Sequence, residues 1–242
     1  GKPIESTNRT TSDFISIDGY DGIGYLSVSR YLGYQGNPCN TWNMIAHFYA
    51  GEQKYISSVD SYFYRQIGVP DGAKYMKVTI LEEGYPTDLS VQYFRIPTHC
   101  AFKNVKFENN RCVGLAQSAM KDMLVENCEF TKCGQSSAKC AYDAEDGWDM
   151  MQDVTFRNLN FHDNPNNDFL TCAGHNFVIE DMKTGNVYFW ERTNSYIVRN
   201  SDNIAGANLG HSTRNRSGYV KFYDNTVNGN ISIGTAEEND DW

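Results

Sequence analysis

The sequence predicts an all-β fold: a right-handed parallel β-helix of about six to seven rungs over residues 94–242, preceded by a small β-sandwich over residues 1–93. Three observations carry this. A short apolar strand ending in Asn or Asp recurs through the second half at a spacing of roughly twenty residues. Aromatic residues make up 14% of the 242, and Asn, Asp, Ser, Thr and Gly fill the intervals, a composition that favours strands and turns. No segment sustains the i, i+3, i+4, i+7 apolar spacing of an amphipathic helix.

The first half reads as alternating strands with Gly, Asn and Pro between them. The clearest are residues 15–17, 25–28, 44–49 and 75–80. Several strands at short spacing with turns between them fit a sandwich. Residues 81–89, with Gly84, Pro86 and three acids, read as the linker.

In the second half the copies align as Val105-Lys106-Phe107-Glu108-Asn109, Met123-Leu124-Val125-Glu126-Asn127 and Val154-Thr155-Phe156-Arg157-Asn158. Phe177-Val178-Ile179-Glu180-Asp181, Tyr196-Ile197-Val198-Arg199-Asn200 and Val220-Lys221-Phe222-Tyr223-Asp224 follow. The intervals between their terminal residues are 18, 31, 23, 19 and 24. One rung of a β-helix takes about that much chain, and the Leu pattern of leucine-rich repeats is absent. Alternate strand residues then point inward and stack on the rung below. The terminal Asn suits a left-handed turn, and its amide suits a ladder from rung to rung. Second strands are expected over 113–116, 169–172, 187–190 and 231–233.

Two resemblances follow from these residues. Residues 45–57, followed by Ile67-Gly68-Val69-Pro70-Asp71-Gly72-Ala73-Lys74-Tyr75-Met76-Lys77-Val78, resemble a β-sandwich module of phage baseplate and tail proteins and of Gram-positive surface proteins. That likeness covers roughly residues 11–80 and does not identify a ligand. The repeats from about residue 94 onward resemble the pectate-lyase-like superfamily of right-handed parallel β-helices. The superfamily includes lyases, hydrolases, tailspikes and adhesins, so the likeness implies a fold and a polysaccharide partner rather than one activity. The diagnostic catalytic motifs of pectate lyases and polygalacturonases are not found.

Charge narrows the partners. The net charge is −9 with Lys and Arg dispersed, which argues against nucleic acid. No apolar run approaches 18 residues, so membrane insertion is not expected. The chain has no initiator Met and no signal-like segment at Gly1; it reads as processed, with any export signal out of view. The expected location is extracellular, at a cell surface or on a virion. The seven cysteines are odd in number, so at least one is free or pairs between chains. Their main reading is as reduced core residues, with a disulfide or a metal as the alternative.

The longest interval holds an acidic insertion containing Asp143, Glu145, Asp146, Trp148 and Asp149. Three readings stand. Asp143, Glu145, Asp146 and Asp149 suit a Ca²⁺ cage of hard oxygens, although the EF-hand spacing is missing. Glu145 and Asp146 suit the carboxylate pair of a glycoside hydrolase. A solvated acidic turn, or acids held by Arg157 and Arg192, is the plain alternative. Asp168 and His175 flank the second strand of the next rung, where His175 suits a general acid or base, or a hydrogen-bonding turn residue. In Val187-Tyr188-Phe189-Trp190-Glu191-Arg192, alternation turns Val187, Phe189 and Glu191 inward and Tyr188, Trp190 and Arg192 outward. An exposed Tyr–Trp pair beside Arg suits sugar-ring stacking with a carboxylate contact. Under the lyase resemblance, Arg192 is the candidate base. Trp148 and His211 complete the expected substrate-binding set, along a groove running from rung to rung.

The expected function is binding or processing of an extracellular or cell-surface polysaccharide. If catalytic, the protein is a polysaccharide lyase or a glycoside hydrolase, with Ca²⁺ as the one expected cofactor. The alternative is a non-catalytic structural or adhesive component of a phage tail or bacterial surface, with a homotrimer expected if it is phage-derived.

Overall fold

Strand alternation and Asn-rich turns dominate the computed structural model, which describes residues 9–20, 25–29, 43–62, 67–80, 90–94, 97–136, 140–144, 151–211 and 218–235. The chain divides into two units, Gly1–Arg95 and Ile96–Asp240. Every strand expected in the first half is present. The expected linker, 81–89, lies outside the described residues.

The first unit is built from two antiparallel sheets. In the larger, Asn43–Tyr49 lies between Tyr55–Tyr62 and Tyr75–Ile80, and Thr10–Thr11 and Ile15–Ser16 pair with the far edge of Tyr75–Ile80. Period-two alternation divides its faces. Met44, Ala46, Phe48, Met76 and Val78 are at most 1% exposed, while His47, Tyr49, Tyr75 and Lys77 are half-buried on the other face. The smaller sheet runs Ile67–Gly68, Tyr25–Ser29, Ser90–Phe94.

The second unit is a parallel β-solenoid of about five turns, slightly fewer than the six to seven rungs expected. Each turn visits three faces. On the first, Thr98–Lys103, Met120–Glu126, Met151–Arg157, the later parts of Asn167–Glu180 and Gly185–Arg199, and Val220–Tyr223 stack in parallel. On the second, Lys106–Glu108, Glu129–Thr131 and Asn160–His162 stack. On the third come Leu115–Gln117, Cys140–Ala144, the earlier parts of Asn167–Glu180 and Gly185–Arg199, Ile204–His211 and Ile231–Thr235.

The registers correct the first copy of the repeat. Cys100, Ala101, Phe102 and Lys103 pair with Met123 to Glu126, so Asn104 is the partner of Asn127. The segment 105–109 belongs to the second face, where Lys106–Glu108 pairs with Glu129–Thr131. Both segments alternate and both end in a left-handed Asn, with φ of 57° at Asn104 and 56° at Asn109. The sequence pattern alone therefore does not separate them.

Apolar side chains stack by type inside the coil. Phe107, Phe130 and Phe161 form a column with centroids 4.6 and 4.7 Å apart and planes within 14°. Tyr142 stacks on Phe169, and Phe189 lies 3.8 Å from Tyr196 at 4°. Each such fully buried ring contributes about 2–3 kcal/mol of transfer free energy. The phenylalanine column stops at Gly185, where a Cβ would sit 2.9 Å from Phe161 Cβ. Cys128, Cys133, Cys140 and Cys172 are buried and unbridged, as packed core residues; Cys112 is exposed, and Cys39 lies outside the described residues.

Two ladders run along the outside of the corner after the first face. Asn104, Asn127, Asn158, Asp181, Asn200 and Asp224 all have φ between 51° and 57°. Asn127 Nδ2 donates to Asn104 Oδ1 at 3.2 Å, and Asn158 Nδ2 to Asn127 Oδ1 at 2.6 Å. Asp181 has no amide to donate to Asn158, so the amide run ends there. One residue earlier, the outward positions alternate in charge. Lys103 pairs with Glu126 at 3.2 Å, Glu126 with Arg157 at 3.2 Å, Arg157 with Glu180 at 2.6 Å, and Glu180 with Arg199 at 2.5 Å. Arg199 Nη1 then donates to the Tyr223 hydroxyl at 3.3 Å. Arg157 is thus engaged with Glu126 and Glu180.

Candidate functional site

The third face and the corner that follows it hold the described candidates. Tyr142 and Ala144 lie in the core, so Asp143 between them points out, yet it is only 5% exposed. In register with it lie Ala116, Leu170, Tyr188, Asn208 and Ser232, forming one outward row. Val187 and Phe189 point into the core at 1% and 0% exposure, and Tyr188 and Trp190 face outward and are half-buried, with rings 6.5 Å apart at 62°.

A bulge then interrupts the strand. Thr171 pairs with Phe189 but Ala173 with Arg192, so one strand carries an extra residue. Thr193, beyond the bulge, is fully buried, and its hydroxyl lies 2.7 Å from that of Thr171. The side chains of Glu191 and Arg192 lie outside the described residues, and the expected inward and outward assignments of those two fall there with them.

His175 does not form a turn; the left-handed residue is Asn176, at φ 59°. His175 pairs in the strand with Gln152 on one side and Asn194 on the other. Its neighbour Gly174 is packed against Phe177 and Met151, both core residues, so the outward direction falls to Gln152 and His175. Both are nonetheless sheltered, at 8% and 7% exposure. Gln152 was missed by the sequence reading. Its signal is positional: Lys121, Gln152 and His175 each precede a left-handed residue, Asp122, Asp153 or Asn176.

Asp168 has a different place. Its Oδ1 accepts from Asn164 Nδ2 at 2.8 Å, its Oδ2 accepts from the Asn186 backbone N–H at 2.8 Å, and its own N–H donates to Asn186 Oδ1 at 2.9 Å. This reciprocal clasp joins two successive coils. Burial pushes the Asp168 carboxyl above its usual value, and the Asn164 and Asn186 hydrogen bonds offset part of that.

The remaining candidates divide simply. Glu145, Asp146, Trp148 and Asp149 lie outside the described residues. His211 ends a strand in register with Thr235, and its side chain lies outside them too. Of the four carboxylates expected to hold Ca²⁺, only Asp143 is described; Glu145, Asp146 and Asp149 lie outside the described residues. No group of three or more His, Cys, Asp or Glu among the described residues is placed to hold a metal ion. No helix among the described residues is long and apolar enough to cross a membrane.

The register thus sets Tyr188 two rungs from Asp143 in one outward row, and Gln152 and His175 on neighbouring rungs beyond the bulge, with rungs about 4.8 Å apart. Aromatic rings with a few convergent polar groups bind small organic rings by apolar contact and orient them by hydrogen bonds.

By its architecture the protein is a parallel β-solenoid of about five turns that follows a unit of two antiparallel sheets. No family model, no curated protein and no solved structure matches the chain.

Proposed function

We propose that this chain is a glycan-binding solenoid of the pectate-lyase-like kind, acting on an extracellular or cell-surface polysaccharide held along the outward row of its third face. The observation that supports this most directly is the pair Tyr188 and Trp190, outward and half-buried on one strand. Asn208 follows on the next rung, and His175 and Gln152 lie beyond the adjoining corner. A sugar ring stacks its C–H face on such rings, and its hydroxyls find donors and acceptors in the neighbouring polar groups. The function proposed is recognition. Among the expected catalytic acids, both carboxylate oxygens of Asp168 already accept hydrogen bonds inside the coil clasp.

The test is retention on a panel of polysaccharide affinity gels. Trp190→Ala and Tyr188→Ala are expected each to weaken retention by about tenfold, the loss of one stacked ring. Equal retention of both variants and the unaltered chain on every gel that retards it would remove the proposal.

A second reading, an assembly component of a surface or tail structure, draws on a separate observation. Ile231 and Ile233, on the last strand of the third face among the described residues, are 48% and 79% exposed. Exposed apolar side chains on an edge strand favour association with another chain. Light scattering across a concentration series distinguishes the readings: a stable trimer favours assembly, and a monomer that binds glycan favours recognition alone.

A further inference from the structure

The outward face of the larger N-terminal sheet carries two tracks that cross the strands side by side. The first is aromatic. Tyr55, Tyr49 and Tyr75 lie in register on three neighbouring strands. Tyr49 meets Tyr55 at 5.8 Å and Phe14 at 4.9 Å, both edge to face, and Phe14 meets Tyr75 at 6.1 Å. Tyr55, on the edge strand among the described residues, is 51% exposed.

The second track is polar and unbroken. Tyr55 Oη lies 2.8 Å from Ser58 Oγ, which lies 2.7 Å from His47 Nδ1. His47 Nε2 lies 2.9 Å from Thr79 Oγ1, which lies 2.8 Å from Thr11 Oγ1. The five side chains sit on four adjacent strands, so the track is about 14 Å long at roughly 4.8 Å per strand.

The chemistry of that track is specific. Burial lowers the His47 pKa, with Asp60 raising it and Lys77 lowering it further, which favours the neutral imidazole. A neutral imidazole donates from one nitrogen and accepts at the other. The hydroxyls on its two sides must therefore point the same way along the chain. If Tyr55 donates to Ser58 and Ser58 to Nδ1, then Nε2–H donates to Thr79 and Thr79 to Thr11. Thr11 is left with a spare proton and Tyr55 with spare lone pairs; the opposite direction exchanges the two ends. In either case one exposed end offers a donor and the other an acceptor, and both can reverse together at no cost in hydrogen bonds. Lys77, the strand partner of His47, is already seated over the Phe14 ring at 4.3 Å.

We propose that this face is a second, independent binding site, taking a neutral oligosaccharide laid across the strands with its rings on the Tyr55–Tyr49–Tyr75 track and its hydroxyls on the ends of the Tyr55–Thr11 relay. Sugar hydroxyls both donate and accept, and a reversible neutral relay matches that, whereas a charged ligand would need a fixed counter-charge. The site stands apart from the solenoid site in residues and in sequence, and the two are separable by experiment.

The experiment uses the full chain on an array of neutral gluco-, manno- and galacto-hexasaccharides. Tyr55→Ala removes the exposed ring and one relay end, and is expected to weaken binding by about tenfold; Tyr55→Phe and Ser58→Ala keep the ring and cost about two- to fivefold. Nitration of Tyr55 by tetranitromethane, read by peptide mass spectrometry, is expected to slow when the bound hexasaccharide is added, in the unaltered chain and in Trp190→Ala alike. Melting temperature checks that each variant is folded, and Tyr55→Phe changes a single hydroxyl. The proposal is overturned if no hexasaccharide binds, or if binding and Tyr55 nitration are the same with and without these changes. It is equally overturned if Tyr55 is protected by raising the protein concentration and not by sugar, which would make the face a protein interface.

Discussion

Replacing Glu180 with Gln tests the alternating charge ladder at its most buried rung. Glu180 is 6% exposed and takes contacts from Arg157 Nε at 2.6 Å and from Arg199 Nη2 and Nε at 2.5 and 3.0 Å. Burial pushes the carboxyl up, but the hydrogen bonds and charges of Arg199 and Arg157 outweigh it and hold the group below the usual carboxylate range. A charge-assisted hydrogen bond contributes about 1.5–3 kcal/mol. The sum of three overcounts, because Arg157 and Arg199 have side chains 45% and 38% exposed and recover water when the carboxylate is lost. Glu180→Gln also leaves two guanidiniums facing a neutral amide. The net cost is therefore about 2–3 kcal/mol, or roughly 5–10 °C in melting temperature for a unit of this size.

Glu180 has a depressed folded pKa, so its contribution is fully present above its unfolded value of about 4.3 and is lost as pH falls through the folded one. The gap between the unaltered chain and Glu180→Gln should be full at pH 7 and should close below about pH 4. Glu126→Gln shares Arg157 with Glu180. The double variant should therefore lose more than the sum of the two single ones, since both described carboxylate partners of Arg157 are then gone. Calorimetry at low salt measures all of this. A Glu180→Gln melt within about 1 °C of the unaltered chain at pH 7, or a gap that persists unchanged to pH 2, would refute the ladder as a stabilising device.

Three further outcomes are expected. Asn158→Ala keeps a left-handed residue at φ 52° without the amide that bonds Asn127, and should cost about 1–2 kcal/mol in urea unfolding, with Asn158→Gly recovering the backbone share. Gly174→Ala should leave little folded protein by circular dichroism, because φ is 107° and a Cβ would lie 2.8 Å from the Met151 carbonyl and 2.9 Å from the Phe177 ring. Timed thiol labelling read by mass spectrometry should modify the exposed Cys112 in the folded protein well before Cys128, Cys133 or Cys140, which should react only on unfolding; equal rates for all four would count against the packed-core arrangement.

Much of the solenoid is legible in the sequence because its period is local. Each strand supplies its own inward residues, and each Asn or Asp at the corner marks where the chain turns. The charge alternation was equally visible, since Glu126, Arg157, Glu180 and Arg199 stand one place before their turn residues. Its meaning was hidden, because pairing depends on which copies stack. The first copy was misread for the same reason: segments 100–104 and 105–109 satisfy the same pattern, and only pairing with Met123 to Glu126 chooses between them. Asp168 looked chemically free in sequence, but the Asn186 amide on the next coil engages it.

The sequence by itself determined that this chain is built of strands, that its second half coils, and that alternate apolar residues of the repeated copies point inward, because those follow from period-two alternation and from Asn at the turns. Tertiary structure alone decided the register between coils, the bulge beside Trp190, the shelter around Asp143, Gln152 and His175, and the relay from Tyr55 to Thr11. These join residues brought together only by stacking or strand pairing, such as Thr11 and Thr79, 68 positions apart, and no local pattern encodes their distance.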